Sequence, residues 1–270
     1  MSQVKILNIW IHNLTMTELI EKLSQTGGFV VTPNVDHMVK LQKDNELLVA
    51  YHLRDTYRVC DSKILEYTSK FLGNPIKEKI SGSDLFPAFY NYHKENEDIK
   101  IFLLGAAEGV ARKAQIKINE KVGREIVVDT YSPSEGFENN ESECQKIVTR
   151  INESGATVLA VGLGAPKQEK WIAKYKNQLT TVKVFLAIGA TIDFEAGCKP
   201  RCPKWMSEVG LEWLYRLSCE PHRLSKRYLV ESLPFFWLVL LQKLNRYPEP
   251  ELPCIPFSFC PSTLTLKEES

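Results

Sequence analysis

Gly162-Leu-Gly164-Ala-Pro-Lys-Gln168-Glu169-Lys170 is the stretch of this sequence that most invites a chemical reading. Two glycines follow the β-type run Thr157–Val161, and four polar or charged residues follow the glycines at the start of a helix-prone segment. A glycine pair after a strand permits close backbone approach to a phosphate or sugar. Gln168 and Glu169 could then read polar groups, although an ordinary strand-to-helix turn has the same composition. The dinucleotide fingerprint Gly-x-Gly-x-x-Gly would need a third glycine at 167, where Lys167 stands, so a nicotinamide cofactor is not expected.

Asp61 is the second candidate. It follows the strand-like Tyr57–Cys60 and precedes a helical stretch. Local sequence favours an N-cap, but a carboxylate at a strand end can also take a proton from an attacking hydroxyl as general base. Asp193 and Glu195 follow Gly189-Ala-Thr191 and are suited either to ligand hydroxyls or to capping a loop. Arg216, Arg223 and Arg227 lie at near-helical spacing, and guanidinium forks fit phosphate oxygens. The five histidines show no metal-ligand spacing, and Cys198/Cys202 lacks a second pair, so no metal site is expected.

These residues need a scaffold. Apolar runs at Val4–Ile11, Phe29–Thr32, Tyr57–Cys60, Lys100–Leu104, Glu125–Tyr131, Thr157–Val161 and Val182–Ile188 read as strands. Helical stretches alternate with them: one opening at the capping box Thr15-Met-Thr-Glu18, then Asp36–Arg54, Ile64–Leu72, Ser83–Glu97, Gly109–Lys121 and Asn140–Glu153. The alternation predicts an α/β fold, a Rossmann-like, mainly parallel sheet with helices on both faces. Such sheets bind ligands beyond the carboxyl ends of their strands. The predicted body covers residues 1–197, and the helical appendage, with Trp205–Leu217 and Leu224–Leu244, covers 198–247. A flexible, Pro-rich tail covers 248–270.

Composition bounds the class. With 44% apolar and 25% charged residues in 270, the chain reads as soluble and globular. Seven scattered cysteines and no secretory signal point to reduced thiols and a cytoplasmic setting. The net charge of +1 is uneven: Lys199 to Arg246 holds nine Lys/Arg against four Asp/Glu, leaving +5 there and −4 elsewhere. That asymmetry predicts an anionic partner. Leu233–Leu241, nine residues of which eight are strongly apolar, is far short of the ~20 needed to span a bilayer. It suits either a core helix or one lying at a membrane interface behind Arg223, Lys226 and Arg227.

Taken together, Thr32-Pro-Asn-Val-Asp-His37, Ser81-Gly-Ser-Asp-Leu85, Phe102-Leu-Leu-Gly-Ala106, Gly164-Ala-Pro-Lys-Gln-Glu-Lys-Trp171, Gly189-Ala-Thr-Ile-Asp-Phe194, Gly210-Leu-Glu-Trp-Leu-Tyr-Arg216 and Glu220-Pro-His-Arg223 resemble the WecG/TagA/CpsF glycosyltransferases, in order from about residue 5 to about residue 230. The resemblance implies inverting, metal-independent transfer of a sugar from a UDP-sugar to a polyprenyl-diphosphate-linked acceptor at the cytoplasmic membrane face. In the TagA branch that sugar is N-acetylmannosamine. It implies no cofactor and no nucleic-acid partner, and leaves a homo-oligomer open. Asp61 matches the base, Thr32 and Asn34 line its pocket, and Gln168 contacts sugar, with Gly162 and Gly164 clearing space for the ligand. Arg216 and Arg223 match a basic appendage that closes the site and docks on membrane. Further expected contacts are Asp36, Lys79, Ser83, Gly105, Ala106, Gly136, Glu169, Gly189, Asp193 and Arg227. Ser62-Lys63 stands where the family has Gly after the base, which puts a cation in position to lower the basicity of Asp61 or meet an acceptor phosphate. Lys79 stands where the family commonly has Arg.

Overall fold

A computed structural model describes residues 2–250. Six parallel strands form the central sheet: β3 (Gly28–Val31), β4 (Thr56–Arg58), β5 (Ile101–Gly105), β6 (Val127–Tyr131), β7 (Val158–Gly162) and β8 (Val184–Ala187), in the spatial order β4-β3-β8-β7-β5-β6. The inner strands Gly-Phe-Val-Val, Ile-Phe-Leu-Leu-Gly and Val-Phe-Leu-Ala are buried along their whole length, as a parallel sheet covered on both faces requires. The edge strands carry the polar residues, Tyr57 and Arg58 on one side and Asp129 and Thr130 on the other.

Side chains alternate between two cores with the strand period of two. Phe29, Val31, Phe102, Leu104, Leu159, Val161 and Phe185 face one core. Val30, Ile101, Leu103, Val158, Ala160, Val184 and Leu186 face the other, beneath the helices Met16–Thr26, Gly82–Tyr92 and Val110–Val122. The predicted capping box forms in full, with Thr15 and Glu18 each accepting the other's backbone N–H.

Four elements differ from the sequence reading. Val4–Ile11 is a hairpin rather than one strand: β1 (Gln3–Ile6) and β2 (Ile9–His12) pair antiparallel in a sheet of their own, because Leu7 turns into the left-handed region at φ 52°. Asp36–Arg54 is two helices, Val35–Lys40 and Asn45–His52, the second opened by the Asp44 carboxylate on Leu47 N–H. Trp205–Leu217 breaks at Gly210, φ 84°, into Lys204–Glu208 and Glu212–Cys219. Leu224–Leu244 resolves into Pro221–Lys226, a π-helical turn Arg227–Glu231, and Leu233–Lys243.

The last helix is half core and half surface. Phe235 and Val239 enter the first core, while Leu233, Phe236, Trp237 and Leu240 stay exposed. Gln242 ties it to the hairpin, accepting Leu7 N–H at 2.8 Å and donating to the Lys5 carbonyl at 3.2 Å. Among the described residues, no helix is long and apolar enough to cross a membrane. Of the predicted tail, 251–270 lie outside the described residues.

Candidate functional site

All six strands point the same way, so their carboxyl ends share one rim. The carboxyl-terminal helices lie against part of it and enclose a cavity of about 350 Å³ lined by Asn34, Asp61, Lys79, Glu212, Arg216 and the apolar side chains of Val35, Ile64, Trp213, Leu229, Leu233 and Phe236. A second cavity, about 860 Å³, shares Lys63, Lys79, Ser207, Glu212 and Arg216 with the first and adds Ser83, Asp84, Lys199, Arg201 and Lys204. The two thus adjoin beside Asp61, one largely apolar and the other richly charged.

Asp61 is not the helix cap that local sequence favours. Ser62 caps Lys63–Phe71, its hydroxyl accepting Ile64 N–H at 3.2 Å. The residue next to the carboxylate thereby takes the capping duty and leaves Asp61 free. Its backbone is fixed by Asp61 N–H donating to the Pro33 carbonyl at 3.0 Å, which binds the end of β4 to the end of β3. Burial pushes the Asp61 carboxyl up to about 8; Glu212, and less strongly Asp84, add to the rise, while Arg216 and Lys79 oppose it. Lys63 lines the cavity but its ammonium meets Glu66 at 2.7 Å, and the cations that act most on Asp61 are Arg216 and Lys79 rather than the neighbour in sequence.

Both cations are held by Glu212. Arg216 Nη2 donates to Glu212 Oε1 at 2.5 Å, and Lys79 Nζ lies 3.7 Å from Glu212 Oε2 while donating to Ser207 Oγ at 2.9 Å. Burial works against the Arg216 charge, but Glu212 and Asp61 hold it above the ordinary arginine range. Glu212 is the residue that sequence reasoning missed. Its signal is present, because Glu212 and Arg216 stand one helical turn apart inside the Gly210–Arg216 block.

The Gly162–Glu169 stretch is built differently from its sequence reading. Gly162 does not clear space for a ligand: a β-carbon there would stand 2.7 Å from the Gly189 carbonyl oxygen and from Ile192 Cδ1. Gly105, at φ 123°, would likewise strike the Gly162 carbonyl oxygen at 2.5 Å. These glycines let strand ends pack on one another. Gly164 and Gly189 do face open space. Gln168 and Glu169 point inward rather than into either cavity. Gln168 Oε1 accepts Gly189 N–H at 3.1 Å, and its Nε2 donates to Glu169 Oε1 at 2.9 Å. Glu169 is fully buried, its Oε2 has no hydrogen-bond partner among the described residues, and burial pushes its carboxyl up to about 7, against the opposing pull of Gln168, Lys40 and Arg227.

Asp36 and Arg227, both expected at a ligand, meet each other at 2.8 Å. Asp36 also holds Lys40 at 2.7 Å, so it fastens the π-helical turn of the carboxyl-terminal segment to the body. Beside this pair, burial lowers His37 to about 3, and its Nδ1 lies 3.3 Å from the Tyr51 hydroxyl. Asn34 lines the Asp61 cavity with its Oδ1 engaged in capping Val35–Lys40, and Thr32 is buried at the end of β3.

The remaining candidates are scattered along the rim. Ser83 contacts Ser81 at 3.1 Å and Arg201 at 3.3 Å in the larger cavity. Ala106 adopts φ 62° and donates its N–H to the Gly162 carbonyl. Gly136 opens the turn Phe137–Asn139, whose Glu138 pairs with Lys167 at 2.6 Å. Asp193 offers its backbone carbonyl to Cys198 and Lys199, and the Glu195 carboxylate accepts the Tyr90 hydroxyl at 2.9 Å. Arg223 stands on Pro221–Lys226, and its side chain lies outside the described residues.

Over residues 4–249 the chain matches the family described as Glycosyl transferase WecG/TagA/CpsF. The chain belongs to that family of glycosyltransferases. It is similar, at 27% identity over 242 residues (87% of this chain and 91% of the relative), to a protein of Staphylococcus aureus strain MRSA252 named N-acetylglucosaminyldiphosphoundecaprenol N-acetyl-beta-D-mannosaminyltransferase. Its namesake from strain NCTC 8325 is 26% identical over the same span. Family membership makes the cavity beside Asp61 a candidate active site of a glycosyltransferase, with the acidic and basic groups such a reaction uses already gathered there.

Proposed function

We propose that this glycosyltransferase moves a sugar, N-acetylmannosamine by analogy with its named relatives, from a UDP-sugar to an acceptor sugar on a polyprenyl diphosphate, with inversion and without a metal. The observation that carries the reading is Asp61: a carboxyl group released from capping, set in a cavity between the rim of the sheet and the carboxyl-terminal helices, with Lys79 and Arg216 beside it.

Inversion by a single displacement needs two things of the protein. One is a base for the acceptor hydroxyl. As its oxygen bonds to the anomeric carbon, the proton passes to Asp61. A base near pH 8 accepts that proton with more driving force than an ordinary carboxylate. The other is support for the charge that appears on the diphosphate when its bond to the sugar breaks. Arg216 and Lys79, already oriented by Glu212, supply preorganised positive charge there. The apolar wall of Trp213, Leu229, Leu233 and Phe236 suits the first isoprene units of the acceptor, and the charged neighbouring cavity suits the nucleotide diphosphate.

The exposed apolar stripe of the last helix and the +5 charge of 199–246 support docking of the carboxyl-terminal segment on the cytoplasmic membrane face. The test is turnover of a panel of UDP-sugars against a polyprenyl-diphosphate-linked N-acetylglucosamine acceptor, with and without a chelator. UDP release only with a UDP-hexosamine and unaffected by the chelator is the expected result. Turnover of another sugar would change the donor and leave the reaction class. No turnover of any sugar would favour a non-catalytic sugar-nucleotide-binding role, and strict metal dependence would return attention to Asp193 and Glu195.

A further inference from the structure

The membrane-facing surface does not end with the carboxyl-terminal segment. The helix Lys63–Phe71, which starts two residues after Asp61, carries Tyr67 and Phe71 at 50% and 52% exposure, large for aromatic side chains on a soluble face. Both are joined to the carboxyl-terminal helices. A β-carbon at Gly210 would stand 3.2 Å from Lys63 Cβ and 3.7 Å from Tyr67 Cε2, and Lys243 of the last helix holds its ammonium 5.4 Å from the centre of the Phe71 ring. On the last helix, Leu233, Phe236, Trp237, Leu240 and Leu244 recur at helical spacing and are all exposed. Leu233 and Phe236 also line the Asp61 cavity, as do Lys63 and Ile64 of the body helix. The helix that bears Tyr67 and Phe71 and the last helix thus both contribute to the wall of that cavity.

We infer that the exposed apolar ridges of these two helices form one docking surface for an anionic lipid bilayer, with Tyr67 and Phe71 as the part contributed by the body. The inference rests on the membrane reading above and extends it to a helix that leads directly to the proposed base.

Charge complementarity selects the bilayer as occupant. The single acidic residue of Lys63–Phe71, Glu66, is buried and taken up by both Lys63 at 2.7 Å and Lys70 at 2.9 Å, leaving that helix with an excess cation. Lys70 lies 5.7 Å over the Tyr67 ring, so each exposed aromatic of the ridge carries a lysine at its face. The helix Leu233–Lys243 has no acidic residue. Aromatic rings below and ammonium groups above match the level of lipid head groups. A two-fold contact between copies would instead bring the same lysines toward one another.

The test uses the full chain and vesicles of phosphatidylcholine with and without phosphatidylglycerol. Tyr67→Ser with Phe71→Ser is compared with Tyr92→Ser, an exposed aromatic on the opposite face of the sheet. Expected are binding that needs phosphatidylglycerol, a loss of about tenfold or more in partitioning for the double variant, and no loss for Tyr92→Ser. Circular dichroism reports that the variants are folded, and UDP release with a short-chain, water-soluble acceptor should be unchanged by them. Wild-type binding that the double variant retains in full would overturn this inference and leave docking to the carboxyl-terminal helices alone. Absence of wild-type binding would overturn it together with the membrane reading, and leave the transfer reaction to be judged by turnover. A fall from dimer to monomer in sedimentation, with vesicle binding unchanged, would reassign the ridge to self-association and overturn it as well.

Discussion

Two groups of acidic and basic residues lie where the sheet rim meets the carboxyl-terminal helices, and they use the same kinds of side chain to different ends. In one, Asp61 stands in a cavity with Lys79, Arg216 and Glu212. In the other, Asp36 and Glu169 are buried among Lys40, Arg227, His37 and Tyr51, with Asp36 reaching the edge of the Asp61 cavity and Glu169 fully enclosed. Both carboxyls at issue are pushed up by burial, Asp61 to about 8 and Glu169 to about 7. A raised carboxyl therefore does not by itself distinguish a base from a buried structural acid. Access distinguishes them: Asp61 borders space large enough for a ligand, whereas Glu169 has none of its surface exposed.

The sharpest way to break the comparison is Asp61→Asn. If Asp61 is the base, the variant should fold and bind UDP while kcat falls by ~10²–10⁴-fold. Full activity would remove the assignment. The same variant carries a stability signature. The folded carboxyl titrates near 8 and the unfolded one near 3.8. Its contribution is therefore greatest below the unfolded value and is lost as pH rises towards 8. Asp61→Asn should be about as stable as wild type at pH 4 and more stable by a few kcal/mol at pH 8. Chemical denaturation at the two pH values reads this directly.

Asp36→Ala tests the second group. It leaves Arg227 and Lys40 without their shared carboxylate; both cations are partly exposed, so the cost falls below that of a fully buried pair, at about 1–3 kcal/mol. The expected outcome is a lower melting temperature and easier proteolysis within the carboxyl-terminal helices. If turnover fell while stability held, Asp36 would belong with the reactive group instead.

Arg216→Ala should lower kcat by about 10²-fold, the usual scale for one lost charge-stabilising donor. It should also move the rising limb of the kcat/KM–pH profile upward, because Arg216 opposes the rise of the Asp61 carboxyl. An unshifted limb would separate Arg216 from the base.

The smallest effect on turnover is expected at Glu169. Glu169→Ala strips Gln168 Nε2 of its acceptor and should cost ~1–3 kcal/mol of stability, with kcat changed less than Asp61→Asn changes it. Glu169→Gln keeps an acceptor oxygen and should restore most of that stability in thermal melts. A kcat loss as large as that of Asp61→Asn would merge the two groups into one site.

Much of this was legible in the sequence. The inner strands announce themselves as short, wholly apolar runs, because a strand covered on both faces has no polar side to show. Thr15 and Glu18 mark a helix start, since a capping box is satisfied within four residues. Asp61 was a candidate from its place at a strand end, and the family resemblance carried by the rim motifs is matched over residues 4–249. Local chemistry of this kind needs no distant partner.

Tertiary structure decided the rest, because it turned on partners far away in the chain. Asp61 is held through its N–H by the Pro33 carbonyl, 28 positions back, and its charged neighbours are Glu212 and Arg216 of the carboxyl-terminal helices rather than Lys63 beside it in sequence. Gly162 packs against Gly189, 27 positions on, so a glycine that reads as room for a ligand is room for another strand end. Gln168 and Glu169 look exposed at the start of a helix, yet they face the interior, because that helix is covered by Asn45–His52 and bears on the rim of β8. Asp36 and Arg227 are 191 residues apart and could not be paired from sequence. Composition and periodicity determined what kinds of element and charge this chain has. Only packing decided which charges pair off in the interior and which of them, Asp61 with Lys79, Glu212 and Arg216, gather around a cavity.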